Sequence, residues 1–223
     1  MKRYILLFIF STIFSCRNDK GVSEIHTPSL MDTMELKYAK GFEISKYKDY
    51  LILEVSMPWP AAKQSFKYVV INKENASKTT FMQDTYEDII ITPIEKIVVT
   101  STTHLPALEL LNVSQTLVGF PGTDYVSSDP IREKIDNGNI RELGKNESLN
   151  TEVLLELNPD VVVCFGIDGG NRCLETINKS GIPVIFTGDW VENSPLAKAE
   201  WIKFFGVLYN KEKEADLYNC RSN

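Results

Sequence analysis

Between residues 35 and 72 short apolar runs alternate with chain breakers. Leu36–Tyr38, Phe42–Tyr47, Tyr50–Val55 and Phe66–Ile71 are rich in β-branched and aromatic residues, and Gly41, Lys48-Asp49 and Pro58-Trp59-Pro60 interrupt them. Runs of this length and composition predict strands, and their short links predict antiparallel pairing. Residues 35–89 therefore read as a small antiparallel β unit, with Asn72 to Gln83 as a polar connection. From Lys96 the pattern changes. Ile97–Thr100, Thr116–Phe120, Val161–Phe165 and Pro183–Thr187 are apolar without alternation, and between them lie helical segments at Leu105–Leu111, Pro130–Ile135, Asn150–Leu157 and Asn171–Lys179. Thr102 or Thr103 is a candidate cap for the first of these helices, Asn150 caps the third, and Gly181 ends the fourth. Strands apolar on both faces, alternating with helices, predict an α/β fold over residues 90–190: an open parallel sheet with helices on both faces. Beyond Pro195, Trp201, Phe205 and Leu208 recur at helical spacing on one face, with Lys198 and Lys203 elsewhere on the surface. Asn210 interrupts this helix and Lys211 to about Asn219 resumes it.

The first residues carry a separate signal. Lys2 and Arg3 precede an apolar stretch from Tyr4 to Phe14, and Ser15-Cys16 follows. A positive start, a short apolar run and a small residue before the cut describe an export signal over residues 1–15. The run is too short to cross a bilayer, which takes about 20 residues. Cys16 directly after Ser15 resembles a bacterial lipobox, although Phe14 is bulkier than the usual residue there. That resemblance implies acylation of Cys16 and attachment to a lipid bilayer, with residues 16–34 as a polar tether. The protein is then expected to be exported and to face the periplasm or the cell exterior.

Composition narrows the partners. The 223 residues include 43% hydrophobic and 24% charged positions, ordinary for a globular chain, and the formal net charge is −6. Loss of Lys2 and Arg3 with the signal makes the balance more acidic still. Nucleic acid is therefore not an expected partner, since there is no basic excess to neutralise phosphates. With Cys16 acylated, Cys164, Cys173 and Cys220 remain, an odd number with no disulfide framework and no zinc spacing. Cys164 lies inside an apolar strand and reads as a small buried hydrophobe.

Candidate chemistry is sparse. Gly166-Ile167-Asp168-Gly169-Gly170 sits between a strand and a helix, but its spacing is not that of a nucleotide-binding loop, and no cofactor is expected. Ser101 and His104 are three residues apart at a helix start and lack a nucleophile elbow, so no catalytic pair is read and no enzyme is expected. Only His26 and His104 occur, which excludes a His-rich metal site. His104 lies in the loop after the first parallel strand, where α/β folds bind ligands; a capping or surface role is the other reading. Asp124, Tyr125 and Asp129 lie in a Gly/Pro/Ser-rich loop after the second strand, read either as a cleft rim or as plain solvent loop.

Several segments, in order, resemble a family. Lys96–Ser101, Leu105–Leu111, Val118-Gly119, the stretch from Asn150 through Asn158-Pro159-Asp160 to Val163, and Ser180–Val184 resemble the periplasmic solute-binding proteins for ferric siderophores, haem and cobalamin. Ser194–Gly206 resembles the start of their long interlobe helix, so that residues 191–223 are expected to begin that helix. The resemblance covers about residues 90–217, and residues 35–89 look like an N-terminal addition. It implies two α/β lobes with a metal chelate held between them and delivered to an ABC permease, without catalysis. By position in the family, Thr102 and His104, Asp124 and Tyr125, and Phe165 and Gly166 would line the N-lobe side of the cleft, and Glu152 would dock on the permease. Glu152 also lies in the first turn of its helix, where the helix dipole favours a carboxylate. A polar residue stands where the cobalamin-binding member has a further tryptophan, so cobalamin is a weaker expectation than a ferric siderophore or haem. Members of the family continue into a second lobe, and this chain is expected to be a truncated N-terminal lobe that binds weakly by itself. The alternative is a lipid-anchored surface scaffold or adhesion protein with no small-molecule ligand.

Overall fold

The structure, a computed structural model, describes residues 29–79, 81, 85–167 and 172–221. The export signal, Cys16, His26 and the turn at 168–171 lie outside the described residues, as does the side chain of Cys220.

The β-rich stretch forms one five-stranded sheet. β1 (Asp32–Thr33), β2 (Phe42–Lys46), β3 (Tyr50–Val55), β4 (Phe66–Asn72) and β5 (Asp88–Thr92) lie side by side in chain order. The first four pair antiparallel, as expected, with Tyr50 opposite Ile71 and Val55 opposite Phe66. β5 was not expected and runs parallel to β4. The connection over residues 73–87, with helix α1 (Lys73–Ala76) inside it, is long enough to carry the chain back to the same end of the sheet. Phe42, Ile44, Leu53, Val55, Tyr68, Val70 and Ile90 face inward into the main core, while Tyr50, Val69 and Ile71 form a smaller cluster on the other face.

Leu36–Tyr38, expected as a strand, is a bend. The N–H groups of Lys37, Tyr38 and Ala39 donate to the Glu200 carboxylate at 3.0, 2.7 and 2.9 Å. Those of Lys40 and Gly41 donate to Glu192 at 2.9 Å each. These five donors are spent on carboxylates far along the chain, so none is left for a sheet ladder.

The second sheet is parallel: β6 (Ile97–Val99), β7 (Leu117–Phe120), β8 (Arg141–Glu142), β11 (Val161–Phe165) and β12 (Val184–Thr187), in spatial order β12-β11-β6-β7-β8. Between β8 and β11 lies a small hairpin of β9 (Gly144–Lys145) and β10 (Ser148–Leu149). Ile97, Val99, Val161 and Val163 share a core with α2 (Leu105–Leu110) and α3 (Asp129–Asp136). Val98, Val162 and Cys164 pack on the opposite side with α4 (Thr151–Leu157) and α5 (Arg172–Lys179). Both faces are covered, which is why these strands show no apolar–polar alternation. The open parallel α/β sheet that the sequence predicts is thus present from β6 to β12, whereas residues 90–92, expected in it, belong to β5 of the first sheet. Asn150 caps α4 by accepting the Val153 N–H, as expected, whereas the turn before α2 is capped by Ser101 and not by Thr102 or Thr103.

The last segment departs most from expectation. In place of the start of one long interlobe helix there are three short helices: α6 (Pro195–Glu200), α7 (Ile202–Leu208) and α8 (Glu212–Arg221). Asn210 breaks the chain with a left-handed φ of 55°. No amphipathic face exists, because every residue from Trp201 to Tyr209 is buried. The reason is position: Trp201 packs at a tilt on Phe42 of the first sheet, ring centroids 4.4 Å apart, and Phe205 lies 5.5 Å from His104 beside the second. A helix between two sheets has no solvent face to keep polar. Lys203, expected on the surface, is buried and donates to the Glu35 carbonyl at 2.7 Å, with Asp216 at 3.2 Å and Glu200 at 3.5 Å.

The two sheets also meet at the edge of β12. Its Val184 N–H donates to Asp88 at 3.0 Å and its Phe186 N–H to the Tyr68 hydroxyl at 3.1 Å, so side chains close an edge that would otherwise offer free donors. Burial raises the Asp88 carboxyl to about 6, against the hydrogen bonds from Val184 and Asn178 that lower it. Folded Asp88 keeps its proton to higher pH than the unfolded chain does, so its contribution to stability falls as pH rises from about 4 to about 6. Asp88→Asn, neutral throughout, is expected to gain stability relative to the parent across that window. Urea unfolding of both forms at the two ends checks it, and a constant difference refutes the assignment.

Candidate functional site

The strand order defines where a ligand can sit. β7 lies on one side of β6 and β11 on the other, so the loops after β6 and β11 leave in opposite directions. In open α/β sheets the crevice at such a divergence, outside the carboxyl ends of the strands, is the binding position.

Beneath this crevice is a polar strut. His104, 1% exposed, places Nε2 at 2.9 Å from the Thr187 hydroxyl and 3.5 Å from the Asp189 carboxylate. The Thr187 hydroxyl is 3.0 Å from Asp189 and 3.4 Å from the Cys164 carbonyl. The ends of β6, β11 and β12 are thereby tied together. With Thr187 donating to Asp189, its oxygen accepts from Nε2–H, and Nδ1 is a buried nitrogen without a partner among the described residues. Burial by itself would raise the Asp189 carboxyl. The hydrogen bond and charge of His104, with contacts from Thr103 and Thr187, outweigh burial and hold it at about 2. A hydrolytic triad sets carboxylate and hydroxyl on opposite nitrogens of the imidazole. Here both lie on Nε2, so this trio braces the strand ends and does not form a nucleophile with its base.

The loop after β7 is held open and stiff. The Glu142 carboxylate accepts from the N–H groups of Gly122, Thr123 and Gly144 at 2.9, 2.8 and 2.7 Å, and from the Thr123 hydroxyl. Arg132 donates to the Thr123 carbonyl at 2.7 Å. Burial acts to raise the Glu142 carboxyl, and the Thr123, Gly122 and Gly144 donors together bring it below its ordinary value. Gly122, with φ 69°, makes the turn that Tyr125 packs against. Tyr125 is left 81% exposed, beside exposed Asp124.

The sequence-derived site residues divide accordingly. Thr102, Asp124 and Tyr125 are exposed on loops that follow β6 and β7. Phe165 is half-buried at the end of β11. His104 is in the core and presents no atom to the crevice, a correction to its expected place among ligand-lining residues. Gly166 is likewise buried: a Cβ there would lie 2.5 Å from the Trp59 ring. Glu152 is exposed in the first turn of α4. Sequence reasoning missed Trp59, Thr187, Gly188 and Asp189. Pro58-Trp59-Pro60 was legible only as a chain breaker, though a tryptophan between two prolines was the available sign of a packed turn. Among the described residues no cluster of three or more His, Cys, Asp or Glu side chains is arranged for a metal ion, and no helix is long and apolar enough to cross a membrane.

The fold is an open parallel α/β sheet whose strand order diverges at β6. No family model matches the chain. It is 24% identical over 203 residues to an uncharacterized lipoprotein of Methanocaldococcus jannaschii, covering 83% of this chain and 49% of that one. A second uncharacterized lipoprotein of that organism is 27% identical over 137 residues, covering 58% and 34%. The chain thus spans half or less of the length of these curated relatives. Among solved structures, a periplasmic haem-binding protein from Pseudomonas aeruginosa superposes with a TM-score of 0.48 at 17% identity, covering 58% of this chain and 43% of that one. A possible iron-binding, periplasmic solute-binding protein from Staphylococcus epidermidis gives 0.47 at 17% identity, covering 59% and 48%.

Proposed function

We propose that this chain is the ligand-binding lobe of an exported, lipid-anchored solute-binding protein that captures a metal chelate and passes it to an ABC permease. A ferric siderophore is the first candidate, then haem or cobalamin. The observation that carries the reading is the strand divergence at β6, with a braced loop after β7 that holds Tyr125 and Asp124 out to solvent. An aromatic ring fixed at a cleft rim is suited to stacking on a chelate at small entropic cost. In this reading residues 1–15 direct export, Cys16 bears the lipid, the stretch between Cys16 and β1 is the tether, shorter than the expected 16–34 because Asp32–Thr33 pairs with β2 and Met34 is buried in the core, the parallel sheet from β6 to β12 with its helices is the ligand lobe, and Glu152 docks on the permease. The lipoprotein relatives support the anchor, and the resemblance over residues 90–217 supports the class of ligand.

The test is titration of the mature chain with ferric siderophores, haem and cobalamin while tryptophan fluorescence is followed. Saturable binding is expected to one of them, weakened about tenfold or more in Tyr125→Ala, in line with the roughly 1.5 kcal/mol that one aromatic contact can carry. Absence of binding to the whole panel would favour the anchored-scaffold alternative.

A further inference from the structure

We infer that the seam between the two sheets holds a second binding site, for a small organic cation that also carries a hydroxyl, an amino alcohol; the inference stands apart from the chelate reading. A cavity of ≈ 210 Å³ lies where the edge of β12 faces β4 and β5, with α5 along its rim. It sits at the outer edge of the second sheet, two strands away from β6. Its size suits a small ligand, since drug-sized molecules occupy pockets of about 300–1,000 Å³.

The polar groups in this cavity are only half used. Tyr68 and Asp88 stand opposite one another in the β4–β5 ladder, and both reach the free edge of β12. Their contacts there, the Phe186 and Val184 N–H groups, are two residues of strand apart, roughly 6–7 Å. Oδ2 of Asp88 accepts from the Val184 N–H at 3.0 Å and from the Asn178 amide at 2.6 Å, and Oδ1 accepts no hydrogen bond among the described residues. Tyr68 is 0% exposed. Its hydroxyl accepts from the Phe186 N–H, but its own hydrogen has no acceptor among the described residues. A buried donor in that state is costly to keep, and an oxygen brought in by a ligand would satisfy it.

The charge of the cavity is one-sided. Glu87, Asp88 and Glu175 line it, and no lysine or arginine does. Glu175 has Lys179 at 3.9 Å, whereas no cation lies within ion-pair distance of Glu87 or Asp88 among the described residues. Burial raises the Asp88 carboxyl to about 6, with Glu87 adding to the rise, so at neutral pH it is ionised without a counter-ion. Phe66 and Phe186, ring centroids 5.0 Å apart, supply aromatic walls. Cations settle over aromatic faces, more strongly where water is displaced, and a carboxylate attracts an ammonium more strongly there too. A phosphate on the ligand would meet three like charges and no base. The site therefore favours the free amino alcohol over its phosphate ester.

Isothermal titration of the mature chain with choline, tetramethylammonium and phosphocholine tests this. Choline is expected to saturate with a Kd of about 1 mM or below, and phosphocholine to bind about tenfold more weakly or not at all. Asp88→Asn keeps the oxygen that β12 needs and loses the charge; it is expected to weaken choline about tenfold or more, and Glu87→Gln, on the exposed rim, about threefold. Tyr68→Phe is expected to weaken choline toward the affinity of tetramethylammonium, which has no hydroxyl and keeps its own affinity within about twofold. In the choline complex, nuclear Overhauser contacts are expected between the N-methyl protons and the rings of Phe66 and Phe186. No saturation by about 10 mM choline, tetramethylammonium or phosphocholine bound as tightly as choline, or choline affinity unchanged in Asp88→Asn overturns the inference and leaves the chelate reading untouched. Failure of every chelate to bind overturns that reading and leaves this site standing.

Discussion

Gly188→Ala is expected to destabilise the protein by about 3 kcal/mol or more, a large effect for the addition of one methyl group. A Cβ at Gly188 would stand 2.0 Å from the Met57 carbonyl oxygen, 2.9 Å from its carbon and 3.5 Å from the Pro58 Cα. All three are backbone atoms, so no side-chain rotation relieves the clash. The strand end is braced by Thr187, Asp189 and His104, so the Met57–Pro60 loop must move instead. The expected signature is a lowered urea midpoint together with a red shift of tryptophan emission as Trp59 leaves Phe66 and Phe186. Far-UV dichroism of the native state should change little. A midpoint within about 0.5 kcal/mol of the parent would show that the loop does not rest on the strand end as described.

Glu200→Ala is expected to cost about 4 kcal/mol. Glu200 is fully buried and accepts three backbone N–H groups, besides facing Lys203. Truncation leaves those donors, one buried and two part-buried, without their acceptor, and a buried unsatisfied group costs about 1–3 kcal/mol, while Lys203 retains Glu35 and Asp216. Burial pushes the Glu200 carboxyl up, but the N–H donors from Ala39, Lys37 and Tyr38, with Lys203, hold it below its ordinary value. The folded state therefore sheds this proton more readily than the unfolded chain. The stabilisation is present above the ordinary carboxyl range and is lost as pH falls through the folded value. The gap between parent and variant, measured by urea unfolding, should narrow from neutral pH toward about pH 3. A gap that stays constant would mean that the carboxylate charge contributes nothing.

The α/β lobe was legible because its physics is local. Unbroken apolar runs at Ile97–Val99 and Val161–Phe165, helix-length spacers, an Asn cap and a Gly stop each act within a few residues. The bend at Leu36–Tyr38 was not legible, since the carboxylate that shapes it lies more than 160 residues away. α7 misled for a related reason. Its apolar positions satisfy one helical face, and nothing in Ile202–Leu208 reveals that a second sheet covers the rest. Of the candidate site, the position of Thr102, Asp124 and Tyr125 on exposed loops after β6 and β7 could be read by counting strand ends. His104 was placed in the right loop but on the wrong side of the surface, because its partners Thr187 and Asp189 come from a strand end 83 or more residues later.

The same wiring constrains how the chain comes to be folded. Phe42, in one of the first strands to be synthesised, completes its packing only on Trp201 and Phe204, and the backbone at 37–41 only on Glu192 and Glu200. Until the final helices emerge, the inner face of the β unit has no cover, and closing so long a loop is entropically costly and slow. Such a polypeptide stays open at least until residues 192–204 have been made. That delay would keep it threadable through a membrane channel that admits only unfolded chains, and would put the final collapse on the far side.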